Sequence, residues 1–228
     1  PSRKENPFAE MSFLEHLETV RGCRARTRNA RLAAIRTFFA FLAREDPSSL
    51  PQCQTIRSIP LKRTEHHTLG YLEEAETQAL LDAVEARTPS GLRDQALLLL
   101  LYNTGARVSE IVNLKITDLR LDDAPQVHLL GKGRKHRSCP LWPETAQALR
   151  AYLQQRVPRE PGQEQVFLNA RGLPLTRFGV RYLVRKYAAR AQSTCPSLTS
   201  KRVGPHTLRH TTAMHLLRSG NDVTMVSY

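Results

Sequence analysis

The sequence predicts a mainly helical α+β fold with one small antiparallel β-sheet. Three observations predict it. Apolar residues recur at near-helical spacing through most of the 228-residue chain. One stretch, 126–141, instead alternates apolar and polar residues on both sides of a glycine-rich turn. No apolar run approaches the roughly 20 residues needed to span a bilayer, so no membrane partner is expected.

Residues 8–45 read as two helices. Phe13, Leu14 and Leu17 form the stripe of the first; Leu32, Ile35, Phe38, Phe39 and Leu42 form that of the second. Arg24, Arg26, Arg28, Arg31 and Arg36 crowd the start of the second helix. Such a basic face suits either a phosphate backbone or plain solvent. Asp46-Pro47-Ser48-Ser49 ends this helix. Residues 59–69 show no sustained period and read as a linker between a helical domain, 1–58, and a larger one, 70–228. Within the linker, the adjacent His66 and His67 point different ways on any element, so a metal site is not expected there.

The second domain opens at Tyr71-Leu72-Glu73-Glu74-Ala75-Glu76, whose acidic residues suit the positive end of a helix. Gln95 to Tyr102 is apolar almost all round and predicts a buried helix. Asn103-Thr104-Gly105 breaks it, and helical spacing resumes through Val108, Ile111, Val112 and Leu114. Val127 and Leu129, then Gly131-Lys132-Gly133-Arg134-Lys135, then Arg137, Cys139 and Leu141 predict a β-hairpin with a basic tip. Helices are predicted over 143–156, 176–191 and 206–219.

Charge narrows the partner. Lys and Arg number 34 against 21 Asp and Glu, a net charge of +13. No acidic residue occurs from Gln165 to Asn221, and Arg171 to Arg218 holds ten Lys or Arg. A surface built only for solubility mixes signs; this one favours a polyanion, with counterion release driving binding. With 6% aromatic residues and no RNA-binding aromatic pattern, RNA is the weaker candidate. The four cysteines, 23, 53, 139 and 195, show no Cys-x-x-Cys spacing, so they predict reduced thiols rather than a zinc site.

Some residues carry chemistry. Arg107 opens a helix just after Gly105-Ala106, a favourable place for an anion. Glu110 lies three residues on, on the same face, where it can fix the guanidinium fork. His206 and Arg209 are also three apart, in the first turn of a helix that starts at Gly204-Pro205. A histidine can move a proton near neutral pH and an arginine cannot, a division of labour that phosphoryl transfer uses. Lys132, between two glycines, can reach out from its hairpin.

In order and spacing, Thr104-Gly-Ala-Arg107-Val-Ser-Glu110-Ile-Val-Asn-Leu114, then Gly131-Lys132-Gly133, then His206-Thr-Leu-Arg209-His210-Thr-Thr-Ala closely resemble the tyrosine recombinase (phage integrase) family. The resemblance covers roughly residues 10–228. It implies that Arg107 and Arg209 hold the non-bridging oxygens of a scissile DNA phosphate. It further implies that Lys132 protonates the 5′-hydroxyl leaving group, that His206 assists proton transfer, and that Glu110 buttresses the site. Residues 1–58 would match part of the family's core-binding domain and 70–228 its catalytic domain. Arg28, Arg31, Arg134, Lys135, Arg177 and Arg181 are the expected DNA contacts. The implied partners are double-stranded DNA and, at full length, further copies of the chain on that DNA; no metal or other cofactor is implied, and the setting is the cytoplasm, at the nucleoid.

The family's Leu-Gly segment and nucleophilic tyrosine lie beyond the His-x-x-Arg helix. Tyr228 falls before that segment and aligns with a structural position. The sequence therefore reads as truncated at both ends, binding DNA without cleaving it. The competing expectations are a non-catalytic DNA-binding regulator, which a cluster of Arg, Lys, His and Arg does not suit, and a type IB topoisomerase-like protein sharing the chemistry.

Overall fold

The computed structural model describes residues 8–64, 70–131 and 136–220. The chain divides into two compact units, Pro1–Thr68 and Leu69–Tyr228.

In the first unit, α1 (Phe8–Thr19) and α2 (Ala25–Glu45) are followed by α3 (Leu50–Ser58). Leu14, Leu17, Leu32 and Ile59 form one buried cluster, and Phe39, Cys53 and Ile56 a second. Asp46 stops α2 and turns the chain: its carboxylate accepts from the Ser48 amide at 2.9 Å and the Ser48 hydroxyl at 2.6 Å. Helix α3 was not expected from sequence. It is short and polar, and buries only Cys53 and Ile56, too few positions to reveal a period.

Two arginines of α2 face inward rather than toward solvent. Arg28 is only 7% exposed and donates to the Pro60 carbonyl at 2.8 Å. Arg36 donates to the Arg57 carbonyl at 2.8 Å and to that of Ile59. Both guanidiniums thus tie down the backbone at the end of α3 and just beyond it. Arg28, an expected DNA contact, thus has its Nη1 turned to this backbone. Arg31 is exposed.

The second unit contains α4 (Glu74–Asp82), α5 (Pro89–Thr104), α6 (Val108–Asn113), β1 (Leu119–Arg120), β2 (Gln126–Leu130), β3 (His136–Pro140), α7 (Pro143–Gln154), α8 (Arg177–Ala191) and α9 (Pro205–Arg218). The fold is mainly helical with a three-stranded antiparallel sheet in the order β1-β2-β3, as the sequence predicts. Strand β1 was missed because two residues are too few to alternate.

Helix α5 is the centre of this unit. Ala96, Leu97, Leu98, Leu100 and Leu101 are almost wholly buried, and α7 and α9 pack against it. Each such leucine contributes about 1.5–3 kcal/mol on burial. Its carboxyl end is bonded on two sides. The Thr212 hydroxyl of α9 donates to the Tyr102 carbonyl at 2.6 Å, and Asn103 accepts from the Trp142 amide, which leads into α7, at 2.8 Å. Gly105 then reverses the chain in the left-handed region, φ +55°, so that Ala106 and Arg107 leave in a new direction.

A Cβ at Gly105 would meet Thr212 at an ordinary 3.5 Å, so only the backbone resists substitution. At Gly172, φ +72°, a Cβ would lie 2.6 Å from the Arg159 amide nitrogen, adding a backbone clash. Gly105→Ala is expected to cost about 1–2 kcal/mol, and Gly172→Ala more, in urea unfolding with an unchanged denaturant slope. Equal losses for the two would contradict this account.

Candidate functional site

Arg107 occupies the N-cap of α6 in extended conformation, φ −71° and ψ 149°. An arginine has no oxygen with which to cap a helix. Glu110, one turn on, reaches back instead: Oε2 accepts from the Arg107 amide at 2.8 Å and Oε1 from Arg107 Nη1 at 3.0 Å. The i,i+3 spacing read from sequence therefore becomes a two-point grip. A third donor arrives from the sheet, where Arg137 Nη2 on β3 donates to Glu110 Oε2 at 2.9 Å. The Glu110 side chain is 2% exposed, that of Arg137 18% and that of Arg107 40%. The carboxylate is buried, one arginine stands largely behind it, and the other is open to solvent. Removing one partner from a buried ionic pair of this kind costs about 3–5 kcal/mol.

Arg209, on α9, completes the cluster. Its guanidinium donates to the Gly105 carbonyl, two residues before Arg107. Burial holds its pKa below the ordinary arginine value, helped by the charges of Arg107 and Arg137 and opposed by Glu110. Three guanidiniums, two of them bonded to the one carboxylate, leave a net cationic site, and their mutual repulsion would be relieved by a bound anion.

His206 is exposed in the first turn of α9. With Val108 it lines a cavity of about 920 Å³, together with Arg177, Arg181 and Arg185 of α8 and Lys201 and Arg202 of the loop before α9. None of its described lining residues is acidic. The structure thus brings Arg107, Glu110 and Arg209 into one cluster, and sets His206 with Arg177 and Arg181 around the adjoining cavity. Lys132, Arg134 and Lys135 lie outside the described residues, although strands β2 and β3 on either side of them are placed. Among the described residues there is no group of three or more side chains suited to hold a metal ion, and no helix long and apolar enough to cross a membrane.

Sequence reasoning missed Arg137 as a member of this cluster. The available signal was strand alternation: Arg137 pairs in register with buried Leu129, so an inward-facing cation there requires a partner. It also missed Lys201, whose Nζ donates to the Tyr71 carbonyl at 3.0 Å and to Glu76 at 2.6 Å. Glu76 is 4% exposed and accepts in addition from the Ser197 hydroxyl at 2.6 Å and the Glu73 amide at 2.8 Å. This tie anchors the loop that leads into His206.

Four tyrosine hydroxyls among the described residues are engaged elsewhere. Tyr187 donates to Asp94 at 2.7 Å, and Tyr152 accepts from the Leu168 amide at 3.0 Å. Tyr102 pairs with His215 Nδ1 at 2.8 Å, and Tyr71 accepts from Arg218. Burial raises the pKa of Tyr102, Tyr152 and Tyr187, the wrong direction for a nucleophile. Tyr228 lies outside the described residues.

The pattern of the phage integrase family matches residues 70–228. The y4rD protein of Sinorhizobium fredii, named for an integrase/recombinase, is 42% identical over 201 residues, covering 88% of this chain and 72% of that protein. The chain belongs to the phage integrase family. Tyrosine recombinase XerC of Bacillus licheniformis is 38% identical over 212 residues, 90% of this chain and 66% of XerC. The chain thus spans about two thirds of the length of these relatives. Among solved structures, the Tn1549 transposon integrase in complex with circular intermediate DNA shares the fold at a TM-score of 0.77 and 17% identity, over 100% of this chain and 78% of that one. The XerH recombinase bound to palindromic difH substrate does so at 0.75 and 21%, over 98% and 65%.

The Glu76 tie predicts a pH dependence. Burial is the largest influence on this carboxyl and acts to raise its pKa. Hydrogen bonds from Lys201, Ser197 and the Glu73 amide, with the lysine charge, outweigh it and hold the pKa below the usual carboxylate value. A carboxyl depressed on folding contributes stability above its unfolded pKa and loses it as pH falls through the folded one. Thermal melting on the acid side, below the usual carboxylate range, should therefore fall less steeply with pH in Glu76→Gln than in the wild type; parallel curves would contradict the assignment.

Proposed function

We propose that this chain supplies the DNA grip of a site-specific recombinase. The observation that carries this reading is the pair Arg107 and Arg137 on the single carboxylate of Glu110, with Arg209 on the neighbouring Gly105 carbonyl and Arg107 the open member. A phosphodiester has the charge and the two non-bridging oxygens that Arg107 and Arg209 would hold. The acid-free cavity beside it, with Arg177, Arg181 and His206 on its wall, suits the adjoining backbone of double-stranded DNA. The DNA complexes of the Tn1549 integrase and XerH support the same partner.

In this reading a tyrosine hydroxyl attacks the scissile phosphorus. The bond to the 5′-oxygen breaks, and Lys132 delivers a proton to that oxygen. His206 takes part in proton transfer at the nucleophile. The 3′-phosphotyrosyl ester keeps the energy of the broken bond, so religation by an incoming 5′-hydroxyl needs no high-energy co-reactant. The bonds made by Tyr71, Tyr102, Tyr152 and Tyr187 argue against those four as the nucleophile. The protein would act as several copies on paired DNA sites.

Binding of a labelled duplex DNA, followed by anisotropy across a potassium chloride series, tests the grip. The logarithm of affinity should fall steeply with that of salt. Arg107→Ala and Arg209→Ala should each flatten the slope by about 0.9, the change expected for one lost phosphate contact. Affinity that ignores salt would overturn the reading.

A further inference from the structure

Arg137 has no place in the chemistry above, yet it shares the buried carboxylate with Arg107. It stands on β3, the strand that follows residues 132–135, and is separated from Glu110 by 27 residues of sequence. Three facts limit what it can do. Its side chain is 18% exposed against 40% for Arg107, so it offers much less surface to a ligand. Its Nη2 is on the same oxygen, Oε2, that accepts from the Arg107 amide. Its strand neighbour in register is the fully packed Leu129, which keeps β3 from shifting independently of the core.

Resting on the reading above, we propose that Arg137 is a positioning residue. Through Glu110 it clamps strand β3 to the start of α6, and so fixes where the Arg107 guanidinium points. The arrangement is a relay of rigid parts: β3 to Arg137, Arg137 to Glu110 Oε2, and Glu110 to both the backbone and the side chain of Arg107. With its backbone amide and one guanidinium N–H bonded to the same carboxylate, Arg107 presents its remaining N–H groups over a narrower range than a side chain held by its own chain alone. Arg137 therefore acts on the phosphate by holding Glu110 and Arg107 rather than by touching it.

The test uses the whole 228-residue chain and a labelled duplex DNA as probe. Arg137→Ala should weaken binding several-fold at fixed salt while leaving the salt slope unchanged, because no phosphate contact is lost; a direct contact would flatten it by about 0.9. The Nε–Hε resonance of Arg107 in the free protein should shift and broaden in Arg137→Ala and be largely restored in Arg137→Lys, which keeps one donor for Oε2. In a Glu110→Gln background, Arg137→Ala should add little. A flattened slope persisting in that background would show that Arg137 touches phosphate itself, and an unmoved Arg107 resonance would show that it positions nothing; either overturns the proposal. If Arg137→Ala fails to fold, Arg137→Lys and Glu110→Gln carry the test through the Arg107 resonance. Wild-type binding that ignores salt would overturn the DNA reading, while the resonance would still decide the clamp.

Discussion

The carboxylate of Glu110 is the point at which three parts of the second unit meet. It accepts from the backbone amide of Arg107, the N-cap residue of α6, from the side chain of that residue, and from a strand of the sheet. Buried at 2% exposure, it cannot turn to water if a partner leaves. An ion in that position is tolerable only because every donor is in place, so the geometry of the cationic cluster and the integrity of the local fold are one constraint.

The same constraint explains why the surrounding packing is so heavily cross-bonded. Helix α5 ends in a left-handed glycine, and its last turn is held by Thr212 and by the Asn103–Trp142 bond. Those bonds decide where Arg107 starts. The Gly105 carbonyl released by that turn receives Arg209, so one chain reversal places two of the clustered arginines. On the far side, Glu76 and Lys201 fix the loop that sets the start of α9 and hence His206. The scaffold is thus apolar in its centre and ionic where it must hold charge still. The cluster remains net cationic, which raises the cost of the empty site and the gain on binding an anion.

Local pattern carried much of this into the sequence. Arg107 with Glu110, and His206 with Arg209, are legible because three residues of helix bring side chains to one face whatever the rest of the chain does. Helix α5 is legible because it is apolar all round, and the hairpin because its alternation changes period. What failed to show was non-local or too short. Helix α3 buries two residues, and β1 contains two. Arg28 looks like a surface cation until Pro60 returns across it 32 positions later. Arg137 looks like an ordinary strand residue until β3 is laid beside α6.

The sequence by itself determined the mainly helical class, the period change at the hairpin, the excess positive charge and the paired spacing of Arg107 with Glu110 and of His206 with Arg209, because each depends on neighbours within one or two turns. Only the tertiary structure decided which arginines are spent and which are open. That choice depends on burial and on partners distant in sequence: Arg28 and Arg36 close the first unit, Arg137 braces Glu110, and Arg107 is left facing solvent at 40% exposure.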